Sequence, residues 1–192
     1  AASYWYSIIS INDHIRSLKL IGLRKNSFQG DKIIADIMKN IGVYTRFERD
    51  GISLIKNSNL ESTKEINFKN CPDLAQTILV IAAVKKIKLK LKGLESLKIK
   101  ETDRLIAMKK ELKKIGCNFY EANDEWILEK RNNKLPKKLI INTYKDHRVA
   151  MSFAPLSSKL ELVIRDPEVV NKSYPNFWND LESIGYVCKK TI

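Results

Sequence analysis

Leu105, Ile106, Met108, Leu112 and Ile115 follow helical spacing, and Gly116 supplies the stop expected just past a helix end. Earlier in the chain, Lys88, Lys90 and Lys92 alternate with Ile87, Leu89 and Leu91, the period of a strand with one solvated face. With Lys85 and Lys86, these lysines read as a solvated strand face rather than a binding stripe. Both patterns recur. Leu18-Lys19-Leu20-Ile21-Gly22-Leu23 returns as Leu89-Lys90-Leu91-Lys92-Gly93-Leu94, a shift of 71 residues from Leu18 to Leu89, and 160–164 offers a third such strand. A helix closes on Ile-Gly three times, at Ile41-Gly42, Ile115-Gly116 and Ile184-Gly185, with spacings of 74 and 69 residues between the glycines. The pattern predicts that all three glycines are helix C-caps.

After the first two glycines come hairpin patterns. Strands over 43–47 and 52–55 flank Asp50-Gly51, and strands over 118–120 and 126–128 flank Asn123-Asp124. Ahead of each edge-polar strand lies another apolar helix, over 4–11, 74–84 and 149–156. The predicted unit is helix, strand, helix, hairpin. Its period of about seventy residues exceeds the ~20 to 50 of solenoid repeats. Such a unit implies an α/β (α+β) fold of pseudo-symmetric copies with helices packed on sheets.

The repeat also sorts polar residues. Ser3, Asp73 and Asp146 fall at equivalent helix starts, while Lys25, Lys100 and Lys172 fall just before the second helix of each copy. If the copies share an orientation, these ends line one surface with backbone N–H groups, lysines and carboxylates. Ordinary N-capping explains the Ser and Asp residues, with Thr102 capping a solvated first turn at Lys100-Glu101-Thr102-Asp103-Arg104. Capping does not explain Lys100, Arg104, Arg148 and Lys172, because cations at a helix start are unfavourable unless an anion joins them.

The net charge of +13 over 192 residues suits an anionic partner, whether nucleic acid, a membrane surface or phosphorylated metabolites. No apolar run approaches the ~18 residues of a membrane span, so a soluble protein is expected. Cys71, Cys117 and Cys188 are odd in number and far apart, which offers neither a disulfide framework nor metal-ligand spacing and implies a reducing compartment. His14, in a strand-like stretch, is expected to be structural. A basic nucleic-acid module would need aromatics interleaved with exposed cations, whereas Trp5, Phe28, Trp126, Phe177 and Trp178 mostly fit apolar faces.

Asp146-His147-Arg148 opens a helix with a fork-shaped cation suited to a carboxylate or phosphate. Pro72-Asp73 precedes the apolar helix over 74–84, and Lys172-Ser173-Tyr174-Pro175 leads into the helix carrying Phe177, Trp178 and Leu181, with Pro175 near the first helical position. Together with Asn26-Ser27-Phe28-Gln29-Gly30-Asp31 and the run from Lys100 to Arg104, these motifs resemble, in order and spacing, the EPSP synthase (3-phosphoshikimate 1-carboxyvinyltransferase) family. The resemblance covers the whole chain.

The resemblance implies an enolpyruvyl-transferase-like inside-out α/β barrel, incomplete in this chain. It divides the chain so that residues 1–43 close the amino-terminal, shikimate-side domain and 44–192 make most of the carboxy-terminal, phosphoenolpyruvate-side domain. The implied reaction moves the enolpyruvyl group of phosphoenolpyruvate to the 5-hydroxyl of shikimate 3-phosphate and releases phosphate, with no metal and no cofactor. By residue match, Asp73 and Glu101 are catalytic, with Asp73 the proton acceptor. Arg104, Arg148 and Lys172 hold phosphoenolpyruvate. Ser3, Tyr4, Asp73 and Lys100 contact shikimate 3-phosphate, and His147 supports the site. Ala1 and Ala2 stand where the family often has serines, and Ser96 where an asparagine is common. The family's amino-terminal half, with its Lys-Ser motif and a further phosphate-binding arginine, is absent, so the chain alone is expected to be nearly inert. A cytoplasmic monomer acting in aromatic amino-acid biosynthesis is implied, without nucleic-acid or membrane partners. A UDP-N-acetylglucosamine enolpyruvyl transferase relative is the sibling alternative.

Overall fold

A computed structural model describes residues 2–23, 33–129 and 133–189. The motif 26–31 and Lys25 lie outside the described residues, as does Ala1. In chain order the elements are α1 (Ala2–Ile11), β1 (Ser17–Ile21), α2 (Ile34–Lys39), β2 (Ile41–Phe47), β3 (Gly51–Leu60), β4 (Thr63–Asn67), α3 (Ala75–Lys85), β5 (Lys88–Lys92), α4 (Arg104–Lys114), β6 (Phe119–Ala122), β7 (Glu125–Leu128), β8 (Lys138–Ile141), α5 (His147–Phe153), β9 (Glu161–Ile164) and α6 (Phe177–Ser183).

Two of these strands complete the repeat. β4 and β8 precede the apolar helices, and each pairs in parallel with the strand that follows its helix: Thr63 opposite Lys88 and Lys138 opposite Glu161. The unit is therefore strand, helix, strand, helix, hairpin, one strand longer than the sequence pattern predicts. The parallel partner explains the helix between them, since parallel strands need a crossover connection. The second sheet runs β4-β5-β7-β6, the first β1-β3-β2, and β8-β9 form a third. Both predicted hairpins are present, β2 with β3 and β6 with β7. The second closes through Asn123 and Asp124, with φ of 52° and 59°, the left-handed pair of a tight hairpin turn.

The apolar helices α1, α3 and α5 pack on one another. Ala75–Ala83 are all buried in α3, and Ser3–Ile11 in α1. A helix apolar on all sides is a central helix, so the core is made of helices with sheets outside it. Each fully buried Leu or Ile adds about 1.5–3 kcal/mol. Small polar residues cross this core; the hydroxyls of Thr77 in α3 and Ser152 in α5 lie 3.5 Å apart. Among the described residues no helix is long and apolar enough to cross a membrane.

Several sequence expectations shift in detail. Gly116 and Gly185 follow α4 and α6 with φ of 79° and 95°, as expected of C-caps. Gly42 instead lies in β2, where the register shifts between Ile41 and Val43, because α2 ends early and Asn40 caps it. Asp103, not Thr102, is the N-cap of α4; its carboxylate accepts from the Leu105 and Ile106 N–H groups at 3.0 Å each. Asn176 is the N-cap of α6, which starts at Phe177, so Pro175 lies one residue ahead of the cap rather than at the first helical position. His14 sits in an exposed bend rather than a strand. Residues of α1 belong to the same buried core as those of α3 and α5.

Gly93 is held open by necessity. Its φ is +72°, and a Cβ there would lie 2.4 Å from the Lys69 backbone nitrogen. With Phe68 N–H donating to Lys92 O at 2.8 Å, the end of β5 is locked to the segment that leads to Asp73.

Candidate active site

Two pairs of parallel strands, β4 with β5 and β8 with β9, deliver the site. Asp73 follows β4, Glu101 and Arg104 follow β5, Asp146 to Arg148 follow β8, and Lys172 follows β9. In α/β sheets the carboxyl ends of parallel strands are where ligands bind, since the succeeding helices turn their N-termini to the same side. Of the ends expected to share one surface, those of Asp73, Asp146 and Lys172 come together, Ser3 is buried and Lys25 lies outside the described residues.

Arg104 is the hub. It is the first residue of α4, its side chain is 2% exposed, and its guanidinium meets three carboxylates. Nε donates to Asp146 Oδ2 at 2.6 Å, one terminal nitrogen to Asp73 Oδ1 at 2.8 Å, and the other to Glu101 Oε2 at 2.5 Å. A buried charge of either sign would be costly alone, and the pairing offsets both desolvations.

Each carboxylate then reaches a second group. Asp73 Oδ2 accepts from Arg148 at 2.9 Å, and the Asp73 backbone carbonyl accepts from the same guanidinium at 3.3 Å. Glu101 Oε1 accepts from Lys172 Nζ at 2.9 Å. Asp146, fully buried, caps α5 by accepting from the Arg148 N–H at 2.7 Å. Asp73, Glu101, Arg104, Arg148 and Lys172 are thus one network. Arg148 and Lys172 lie on its open side, with side chains 24% and 60% exposed. Lys100 is exposed just before Glu101.

Electrostatics follow from this layout. Burial alone would raise the Glu101 pKa; the Lys172 hydrogen bond, the Glu101 backbone N–H and the charges of Arg104 and Lys172 outweigh it and hold the carboxyl down at about 2. His147 is 6% exposed, with Nδ1 3.9 Å from Glu101 Oε1 and, among the described residues, without a hydrogen-bond partner. Burial lowers its pKa, so the imidazole is neutral.

Ser3 and Tyr4 are both buried, so neither side chain is open to a substrate in this structure. The Tyr4 ring packs edge-on against Phe177 at 6.0 Å. Its phenol pKa is pushed up to about 12 by burial, which outweighs the opposing field of Arg148. Tyr4 therefore backs the cluster.

Asp146 is the site residue that sequence reasoning left as a cap. The signal was present: an Asp N-cap beside two motif residues. Capping alone accounts for such a residue, so its second role, holding the Arg104 Nε, was not separable. A shallow depression of about 340 Å³, lined by Lys114, Lys138, Leu139 and Arg165 among others, shares no residue with this cluster.

Comparison with known proteins bears on the family of the chain. The sequence model of EPSP synthase (3-phosphoshikimate 1-carboxyvinyltransferase) matches residues 1–181. The 3-phosphoshikimate 1-carboxyvinyltransferase of Bacteroides fragilis (strain YCH46) is 41% identical over 98% of this chain and 46% of the relative. That of Clostridium novyi (strain NT) is 40% identical over 88% of this chain and 38% of the relative. The chain spans less than half the length of these relatives.

Among solved structures, an EPSP synthase from Acinetobacter baumannii superposes with a TM-score of 0.70 at 21% identity, covering 95% of this chain and 45% of that one. The enolpyruvyl transferase NikO from Streptomyces tendae superposes at 0.65 and 13% identity, covering 96% and 42%. At such identities the likeness is one of fold, the enolpyruvyl-transferase fold in partial form. The match over 1–181 and the curated relatives settle the affiliation: this chain belongs to the EPSP synthase (3-phosphoshikimate 1-carboxyvinyltransferase) family.

Proposed function

We propose that the chain supplies the phosphoenolpyruvate side of an enolpyruvyl-transfer site, moving the enolpyruvyl group to the 5-hydroxyl of shikimate 3-phosphate in the cytoplasm. The observation that carries this reading is the arrangement at the strand ends: two partly exposed cations, Arg148 and Lys172, each held by a carboxylate that Arg104 also holds. These carboxylates occupy the places that a ligand's own anions would take. Phosphoenolpyruvate brings a carboxylate and a phosphate. Arg148, with its planar fork, suits one, and Lys172 suits the other as a point charge.

When the ligand takes Arg148 and Lys172, Asp73 and Glu101 each lose one cation and keep Arg104. The affinity of Glu101 for a proton rises, because an opposite charge has left. The chemistry follows. The 5-hydroxyl oxygen attacks C2 of phosphoenolpyruvate and its proton passes to Asp73, while C3 takes the proton that Glu101 has picked up from solvent, giving a tetrahedral adduct. C3 then returns its proton to Glu101, the C2–O bond to phosphate breaks, and the departing phosphate takes the proton from Asp73. Neutralisation by Arg148 and Lys172 lets the alcohol approach a dianionic partner. Arg104 fixes the geometry from beneath, His147 supports the site, Lys100 faces the shikimate substrate, and Ser3 and Tyr4 back it.

This activity needs a further segment comparable in length to the rest of the relatives. In a protein containing that segment, phosphate release should depend on both substrates, and Asp73→Asn should slow it by about 10²–10⁴-fold, the usual worth of general acid–base catalysis. Equal rates with Asp73→Asn would overturn the assignment, and activity only with UDP-N-acetylglucosamine would favour the sibling enzyme. The chain alone should bind phosphoenolpyruvate weakly without turnover; product formed by the chain alone would contradict the half-site reading.

A further inference from the structure

The loop that delivers Asp146 to Arg148 is strained just before them: Tyr144 and Lys145 have φ of 54° and 58°, the left-handed region that side-chain-bearing residues rarely adopt. Something must hold it, and α4 carries the holder. Glu111 is fully buried and gathers three donors. Tyr144 O–H donates to Oε1 at 2.6 Å, while Lys114 Nζ at 2.6 Å and the Asn142 backbone N–H at 3.3 Å donate to Oε2. Lys114 also donates to the Ile140 carbonyl at 2.9 Å, and Lys110 lies 5.9 Å from the centre of the Tyr144 ring. Burial together with the Glu111 hydrogen bond and charge pushes the Tyr144 phenol up to about 12, so it stays a donor.

Arg104 and Glu111 thus grip the two ends of one strained loop from the same helix. Arg104 takes Asp146, and Glu111 takes Asn142 and Tyr144. We propose that Glu111 and Tyr144 are positioning residues for the site: their hydrogen bond holds the 142–145 loop in its left-handed path and so sets Asp146 and Arg148 against Arg104 and Asp73. Neither residue touches the cluster directly, so the effect passes through the backbone.

Only the ligand arm of the test rests on the function proposed above. The variant is Tyr144→Phe in the full chain, which removes one hydroxyl and leaves the Glu111–Lys114 pair intact. Hydrogen exchange at the Arg148 amide, protected by Asp146, should quicken about tenfold, the worth of one buried hydrogen bond, while the amides of α3 stay as they were. The apparent affinity for phosphoenolpyruvate should fall severalfold. Glu111→Gln, which keeps one acceptor oxygen, should give an intermediate exchange rate. Unchanged exchange at Arg148, or equal acceleration throughout α3, would overturn the proposal. If the unaltered chain bound no phosphoenolpyruvate, the functional reading would fall, while the exchange result would still decide the positioning role.

Discussion

Helix α4 buries two charges of opposite sign on one face, and they differ in what surrounds them. Arg104, at its first turn, meets three carboxylates, two of which continue outward to the partly exposed Arg148 and Lys172. Glu111, two turns on, meets a phenol, an ammonium and a backbone N–H, and the phenol and backbone N–H belong to the loop it holds. The first charge heads a network with an open side, and the second closes one. A buried ion pair by itself says little about function. What distinguishes the Arg104 end is that its carboxylates are shared with cations a ligand could claim.

Breaking the hub should have the largest effect. Arg104→Met leaves Asp146, Asp73 and Glu101 without their common cation, and a buried pair broken from one side costs about 3–5 kcal/mol. Chemical denaturation of the variant should report that loss. Glu111→Gln weakens the closed network while leaving shape and one acceptor, so about 1–3 kcal/mol is expected in the same assay. Lys172→Met should cost under about 1 kcal/mol of stability, because Lys172 is largely exposed. The same change should weaken phosphoenolpyruvate binding at least about tenfold, since a ligand charge loses its hydrogen-bonded partner. That split between stability and binding separates the open end of α4 from the closed one.

The smallest effect concerns acid. The folded-state pKa of Glu101 is depressed from its ordinary 4.5 to about 2, so Glu101 contributes stability above about pH 4.5 and loses it as pH falls toward about 2. A Glu101→Gln variant should show a flatter acid limb over that interval in urea titrations at several pH values. An equally steep limb would assign the acid sensitivity elsewhere.

The sequence pattern revealed much of the frame and less of the wiring. The Ile-Gly stops at Gly116 and Gly185, both hairpins and the apolar central helices were legible because periodicity and turn residues are local signals. β4 was not, since Thr63-Lys64-Glu65-Ile66-Asn67 buries only Ile66 and reads as loop until β5 pairs with it. β8, four residues long, is too short for its alternation to stand out. Gly42 followed the Ile-Gly pattern but sits in a strand, because α2 is too short to reach it.

At the site, the fold gathers Asp73, Glu101, Arg104, Arg148 and Lys172, all of them residues of the sequence motifs. The caging of Arg104 was out of reach, because its partners lie 42, 31 and 3 residues away and only the fold unites them. Cations at a helix start require an anion. The anions turned out to be the chain's own Asp73, Glu101 and Asp146.

That substitution of the chain's carboxylates for a ligand's is the central claim, and a carbon-NMR titration of the Glu101 carboxyl tests it most directly. Without ligand the midpoint should lie near 2, set against burial by the hydrogen bond from Lys172 and the charge of Arg104. With phosphoenolpyruvate present, Lys172 turns to the ligand and the midpoint should rise toward ordinary carboxylate values. A midpoint that stays put while phosphoenolpyruvate demonstrably binds would contradict the account.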